Sequence, residues 1–386
     1  MDVRAIIRAT LFTPMRGGRW GLPVVFRAPP GTAKSSIIKE EAIRAGLKVE
    51  VLSPGMRGEG AFGVVPVPGE GNKELCYPPP EWVAKLGSRG VVFLDEINTA
   101  PPALQPPLLG LVLDGIIGAV TLPAGIRRIA AMNSVEDAAG GWDLPPALAN
   151  RFGHIDWHAP DVERWSDWLL DDDEAKVEAT GEDIEAQVMR RWPLAWARAR
   201  GLVAGFVKTQ PQMLHDQPKA GDPRLAGPWP SRRTWEFATR ALASAEVHHL
   251  HKLDEDMLVS SFIGNSAATD LERYRSANEL PDPAELLDGK VTWRHDGRRL
   301  DRTVAVLGSC SALIKPEDAR NREARAETLW RILDDIMQDS PDITVPAATR
   351  LARAKLTKVK GASKVLARMQ PVLEKAQYVA RDFDNL

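Results

Sequence analysis

The order of apolar and polar positions divides the chain into two kinds of sequence. Over the first 160 residues, short apolar runs alternate with segments of helical spacing. Residues 22–26 (LPVVF), 48–52 (KVEVL), 90–94 (GVVFL), 128–132 (RIAAM) and the short 154–157 (HIDW) predict strands, and 34–45 predicts a helix after the first of them. Apolar strands separated by helices predict a parallel sheet covered on both faces. After about residue 160 helical periodicity takes over, best at 162–170, 182–200, 234–250, 256–277 and 324–337. The loops between are rich in Pro, Gly and Asp, notably 210–230, and no internal repeat is visible. The expected layout is an α/β domain over 1–160, a helical lid domain over 161–340 and a basic helical extension over 341–386. Within the last, residues 345–373 carry seven Lys/Arg and no acidic residue.

Composition narrows the class without changing this layout. Of 386 residues, 44% are apolar and 26% charged, which excludes a wholly disordered chain. Lys and Arg total 50 against 52 Asp and Glu, so the net charge of −2 gives no reason to expect a coat for nucleic acid or an anionic membrane. Cys76 and Cys310 are too few and too far apart for a disulfide framework or a cysteine zinc site. The start, MDVRAIIRATLF, lacks the pattern of a signal peptide. Between Glu96 and Arg127 the only charge is Asp114, but Pro101, Pro102, Pro106, Pro107 and Pro123 break that stretch, so no spanning helix is expected. These features predict a cytoplasmic protein.

Candidate chemistry begins at Ala28-Pro-Pro-Gly-Thr-Ala-Lys34-Ser35, between the first strand and the first helix. It fits G-x-x-x-x-G-K-[ST] with Ala at both glycine positions. Backbone N–H groups from Gly31 to Ser35 would curl around a phosphate at the positive end of the helix, with Lys34 on the β/γ-phosphates and the Ser35 hydroxyl on Mg²⁺. The expected nucleotide-contacting stretch is Pro30, Gly31, Thr32, Ala33, Lys34, Ser35 and Ser36. Ala28 is the larger departure, since a left-handed residue there would cost roughly 1 kcal/mol without glycine. The run 91–96 (VVFLDE) ends a strand in two carboxylates. On a parallel sheet ligands gather at carboxyl ends of strands, which puts Asp95 where it can hold Mg²⁺ and Glu96 where it can activate water. Asn133 ends the next strand and can reach a γ-phosphate, or equally be a turn residue. Arg127 and Arg128 start that strand, away from the phosphates, and are expected to be solvated. Arg151 follows LPPALAN, where an arginine is either a solvated surface group or one donated across a subunit boundary. Arg232 and Arg233 open a helix at 231–235 (SRRTW), either solvated or able to reach a γ-phosphate.

In combination these segments resemble an AAA+ ATPase of the MoxR-like group, in the branch with an insertion in the second helix. The resemblance rests on APPGTAKS at 28–35, VVFLDEINTAPPALQPPLLGLVLDG at 91–115, AAMNSVEDAAGGWDLPPALANRF at 130–152, PSRRTWE at 230–236 and the segments at 258–290, and spans about 15–290. It implies a P-loop parallel sheet with a helical lid. Lys34 and Ser35 would be Walker A residues, Asp95 and Glu96 the Walker B pair, Asn133 sensor 1, Arg151 a trans-acting arginine finger and Arg233 sensor 2. In similar proteins a proline stands where this chain has Arg232. The implied activity is Mg²⁺-dependent ATP hydrolysis in a homo-oligomeric ring, usually hexameric, that remodels a partner protein, often one with a von Willebrand factor A domain. A nucleic-acid motor and a non-hydrolysing nucleotide-gated scaffold are the rival readings.

Two segments are candidates for gripping a client: 57–72, with an apolar centre FGVVPV, and 115–126 (GIIGAVTLPAGI). Each reads equally as a loop tucked onto its own core or as an exposed apolar grip. Neither is basic, which disfavours nucleic acid as cargo. His248 and His251 share a helix face at i,i+3, which metal ligands can use, but a helix C-terminus favours histidine anyway. The acidic run 171–174 reads as a solvated segment, and the twelve Trp are scattered as packing residues.

Overall fold

The computed structural model describes all residues except 1, 58, 64–65, 70–73, 134–142, 159–161, 164–165, 167–182, 315–320 and 370–386. Part of the client-gripping segment, most of 162–170, the acidic run 171–174 and the end of the basic extension therefore lie outside the described residues.

Five strands form one parallel sheet: β1 Val24–Arg27, β2 Lys48–Leu52, β3 Arg89–Leu94, β4 Gly125–Met132 and β5 Gly153–Asp156, in the order β2-β3-β4-β1-β5. Each falls on a predicted apolar run. β3 and β4 are buried almost throughout because both faces are covered. The helices are α1 Val3–Leu11, α2 Lys34–Arg44, α3 Glu81–Leu86, α4 Gln105–Asp114, α5 Pro146–Ala149, α6 Ile184–Thr209, α7 Arg232–Val247, α8 Lys252–Ala277, α9 Pro283–Leu287, α10 Leu300–Leu313, α11 Arg322–Ile336 and α12 Pro341–Arg353. The fold is thus an α/β sheet followed by a helical region.

The chain forms two compact units. The first is Met1–Trp192 with Met213–Ala268, and the second is Pro193–Gln212 with Thr269–Leu386. The first includes α7 and most of α8 together with the sheet. On one side of its sheet, Val25, Val92, Leu94 and Ala130 pack with Leu108, Leu111 and Phe152. In the second, Trp330 is fully buried among Leu329, Leu333 and Val306, and its indole N–H donates to the Leu356 carbonyl at 2.8 Å.

Arg127 and Arg128 are not solvated, and that expectation is corrected. Arg127 is 0% exposed. Its guanidinium lies over the rings of Phe12 and Trp20, at 5.2 and 5.7 Å from their centroids, and pairs with Glu185 at the start of α6. Arg128 is 3% exposed, and burial pushes its pKa down to about 10. It sits near Arg19 and Asp114 at the C-terminal end of α4, where exposed carbonyls favour cations. The strand begins at Gly125, three residues earlier than predicted, so both arginines are interior strand positions.

Two small hairpins lie at the candidate segments 57–72 and 115–126. Val67–Pro68 pairs with Leu75–Cys76, and Ile116–Ile117 with Val120–Thr121. Within the two segments Phe62 and Ile117 are buried in the core, whereas Val67 and Ile116 stay exposed. The segments abut at Gly63 and Gly118, where a Cβ on Gly118 would lie 2.6 Å from the Gly63 carbonyl oxygen.

Candidate functional site

β1 delivers the chain into the turn 28–33, and α2 leaves it at Lys34. The turn needs two left-handed residues. Gly31 supplies one, at φ 78°, with open space around its Cα, and Ala33 supplies the other, at φ 60°. The strain expected at Ala28 is therefore located at Ala33, since Ala28 is not among the residues with positive φ. Pro29, Pro30, Gly31 and Ser36 are exposed, Thr32 is half-buried, and the N–H groups of the first turn of α2 have no capping side chain. Backbone N–H groups at the positive end of a helix are suited to a phosphate.

Lys34 is 7% exposed. Its Nζ donates to the carbonyls of Ala28 (2.9 Å) and Pro29 (2.8 Å) and to Asn133 Oδ1 (3.1 Å). Ser35 Oγ donates to Asp95 Oδ2 at 2.7 Å. Two hydrogen bonds thus tie the turn to the carboxyl ends of β3 and β4, as the switch-point rule requires. Hydroxyl and carboxylate oxygens held this close are a hard donor set that fits Mg²⁺.

Glu96 adopts φ 52°, a conformation that costs energy outside glycine and collects at functional turns. It is over-determined there. Its N–H donates to Asp95 Oδ1 (3.1 Å), and its carbonyl accepts from the Thr99 N–H (2.9 Å) and hydroxyl (2.8 Å). Thr99 needs Gly55 beside it, because a Cβ there would lie 2.5 Å from the Thr99 hydroxyl.

Sequence reasoning missed two residues. Trp157, just past β5, donates from its indole N–H to the Thr32 carbonyl at 3.0 Å while packing edge-on against Phe26, so it braces the turn 28–33. Its only signal was an aromatic at a strand end. Asn98 is 3% exposed and donates from Nδ2 to the Asn133 carbonyl at 3.2 Å, bridging the Glu96 turn and the end of β4. Among the described residues its buried Oδ1 has no hydrogen-bond partner.

Arg151 and Arg233 fall elsewhere. β5 pairs with β1 in the register Val24↔Gly153, so Arg151 is level with Leu22, six residues before the turn at Ala28. At the rise of a strand that is about 20 Å from its own Lys34 end of the sheet. Ser231, which caps α7, donates from Oγ to Asn150 Oδ1 at 3.0 Å and so brings Arg233 beside Arg151. Partial burial, then the charge of Arg233, lowers the Arg151 pKa. The structure thus groups Lys34, Ser35, Asp95 and Asn133 at one end of the sheet, and Arg151 with Arg233 at the other.

Fold and site combine a five-stranded parallel sheet, a helical region after it, and a strand-turn-helix whose lysine and serine meet the ends of two neighbouring strands. Among solved structures the chain is similar to one from Cytophaga hutchinsonii described as a "putative ATPase", with 13% identity and a TM-score of 0.44, over 67% of this chain and 79% of that one. No family model matches the chain, and no curated protein matches it. No helix among the described residues is long and apolar enough to cross a membrane.

Proposed function

We propose that the chain is a Mg²⁺-dependent ATPase of the AAA+ class, MoxR-like, that works as a homo-oligomeric ring to remodel or assemble a partner protein. The observation that carries the ATPase reading is the pair of hydrogen bonds Lys34–Asn133 and Ser35–Asp95, which join the phosphate turn to two strand ends. Lys34 holds the β/γ-phosphates, exchanging its carbonyl partners for phosphate oxygens. Ser35 and Asp95 hold the metal, which when bound neutralises charge on the phosphates. Glu96, fixed by its turn, takes a proton from the attacking water, and Asn133 orients that water and the γ-phosphate. Arg151, about 20 Å from its own phosphate turn by strand rise, completes a neighbour's site, with Arg233 beside it. A hexamer is the ring the resemblance suggests.

The client is proposed to be a protein, with a von Willebrand factor A domain as the first candidate. The exposed side chains of Val67 and Leu75 on one hairpin and Ile116 on the other suit an apolar polypeptide better than nucleic acid. The test uses Glu96→Gln and Arg151→Ala, alone and mixed. Each alone should bind ATP and lose hydrolysis by roughly 10²-fold or more. Mixed, they should recover part of it, because some interfaces then hold an intact Glu96 and an intact Arg151. Turnover that persists in Glu96→Gln, or never recovers on mixing while rings form, rejects the proposal.

A further inference from the structure

Ala33 stands in a conformation that alanine avoids. Its φ is 60° and that of Gly31 is 78°, so Thr32 lies between two left-handed residues. The Thr32–Ala33 peptide is trans, and the carbonyl and N–H of a trans peptide point opposite ways. Whatever holds the Thr32 carbonyl therefore decides where the Ala33 N–H is aimed. Rotating that one peptide by half a turn takes φ of Ala33 from 60° to about −120°. The rotated form returns alanine to the negative φ that an L-residue prefers, and it reverses the Ala33 N–H.

Trp157 holds this carbonyl. Its indole N–H donates to it at 3.0 Å. The donor is set by the sheet rather than by the turn. The Trp157 backbone N–H donates to the Arg27 carbonyl at 2.7 Å, which continues the pairing of β5 with β1. The ring meets Phe26 edge-on, with centroids 5.6 Å apart, and the residue is 3% exposed. An indole has one donor and no acceptor, so this contact uses all of its polar capacity. The other bonds of the turn act on different groups. The Thr32 hydroxyl donates to the Pro29 carbonyl at 3.0 Å, which fixes the Thr32 side chain. The Ala33 carbonyl accepts from the Ile37 N–H at 3.1 Å, which fixes the peptide after Ala33 and not the one before it.

We propose that Trp157 is a positioning residue for nucleotide binding, whose indole keeps the Thr32–Ala33 peptide turned so that the Ala33 N–H stays among the phosphate donors. It thereby lets alanine occupy a place where the P-loop pattern has glycine. The proposal rests on the reading of 28–35 as a phosphate site. A left-handed alanine costs about as much as one hydrogen bond contributes, so the strained form holds only while the indole donates. Without that bond the peptide rotates, and affinity falls with the fraction of molecules left in the competent form. Glycine populates both signs of φ alike, so with Ala33→Gly the same loss can only about halve that fraction.

The experiment is calorimetric titration of the full chain with Mg-ADP. The wild type, Trp157→Phe, Ala33→Gly, the double variant and Lys34→Ala are compared. Trp157→Phe keeps a ring against Phe26 and removes the N–H. It should weaken Mg-ADP by about 5- to 30-fold, whereas the same change in the Ala33→Gly background should cost about twofold or less. A tryptophan that only packs the sheet would lose the same factor in both backgrounds. Benzothienylalanine at position 157 has the shape of tryptophan without its N–H; it should repeat both results and replaces Trp157→Phe if that variant does not fold. Equal losses in the two backgrounds, or unchanged affinity in either variant at 157, overturn the proposal. A wild type that does not bind Mg-ADP, or a Lys34→Ala variant that binds it equally well, rejects the phosphate-site reading and the proposal with it, and does so before any change at 157.

Discussion

The buried pair of Arg127 and Glu185 yields an asymmetry that pair counting would miss. Arg127 is fully enclosed, and its other donors go to the carbonyls of Leu11 (3.3 Å) and Gly125 (2.6 Å). Glu185 is 27% exposed and has a second cation, Arg89, at 3.0 Å. Changing Glu185→Gln strands a guanidinium with no counterion, which costs about 3–5 kcal/mol. Changing Arg127→Met removes the buried charge, fills much of the space, and leaves Glu185 partly wet and still paired with Arg89. The remaining penalty is two carbonyls deprived of a donor, roughly 1–3 kcal/mol, partly offset by the apolar replacement. Glu185→Gln should therefore be the worse variant although Glu185 is the more exposed partner. In the Arg127→Met background, Glu185→Gln should add only about 0–1 kcal/mol, the worth of an exposed pair. The assay is urea unfolding followed by hydrogen exchange of the β4 peptide, which follows the first unit on its own. If Arg127→Met destabilises as much as Glu185→Gln, or the two effects add in the double variant, the enclosed charge is not what Glu185 stabilises.

The same pair sets a pH dependence. Burial would raise the Glu185 pKa, but hydrogen bonds and charge from Arg127 and Arg89 hold it below its ordinary value. Its contribution is therefore complete above the unfolded pKa of about 4.3 and is lost as pH falls through the lower folded value; melting curves of Arg127→Met should show a shallower acid loss. At φ 60°, Ala33→Gly removes about 1–2 kcal/mol of strain and adds about 0.5–1 kcal/mol of unfolded-state entropy, so it should melt at or slightly above wild type. Ala33→Val places a branched side chain in that conformation and should weaken nucleotide binding severalfold; a Val variant with wild-type affinity refutes this view of the turn. In the second unit, a Cβ on Gly201 would lie 1.7 Å from Ser309 Oγ and 2.5 Å from the Ala305 carbonyl oxygen of α10. Gly201→Ala should destabilise that unit by about 1–3 kcal/mol in urea unfolding, and Ser309→Ala should rescue it only in part, because the backbone oxygen stays.

Residues that act through local pattern were legible before the structure. The strands could be read because burial on both faces demands apolar runs; Asp95 and Asn133 could be placed because they directly follow strand ends, and Lys34 and Ser35 because they open the helix after the first strand. What escaped depends on partners distant in sequence. Arg127 reads as a solvated strand start until Glu185, 58 residues on, and the rings of Phe12 and Trp20 close around it. Motif spacing points to a left-handed residue at Ala28, and only the folded backbone, with φ 60° at Ala33 and no positive φ at Ala28, places it at Ala33. Nothing in an Asn two residues after Glu96 announces that its amide reaches the end of another strand.

The polarity of the sheet also bears on why the proposed enzyme would need a second copy of itself. In a parallel sheet every carboxyl end lies on one side, so residues that follow strands gather there, and residues that precede strands gather opposite. Lys34, Asp95, Glu96 and Asn133 follow β1, β3 and β4, whereas Arg151 precedes β5, and Ser231 anchors Arg233 beside it. No rotamer of an arginine spans about 20 Å of strand. A monomer could thus bind nucleotide fully while its two arginines register nothing of it. On the proposed ring, hydrolysis at each interface would depend on how closely the neighbour's arginine end approaches, so any client that spreads or tightens the ring would change the rate without touching the phosphate turn.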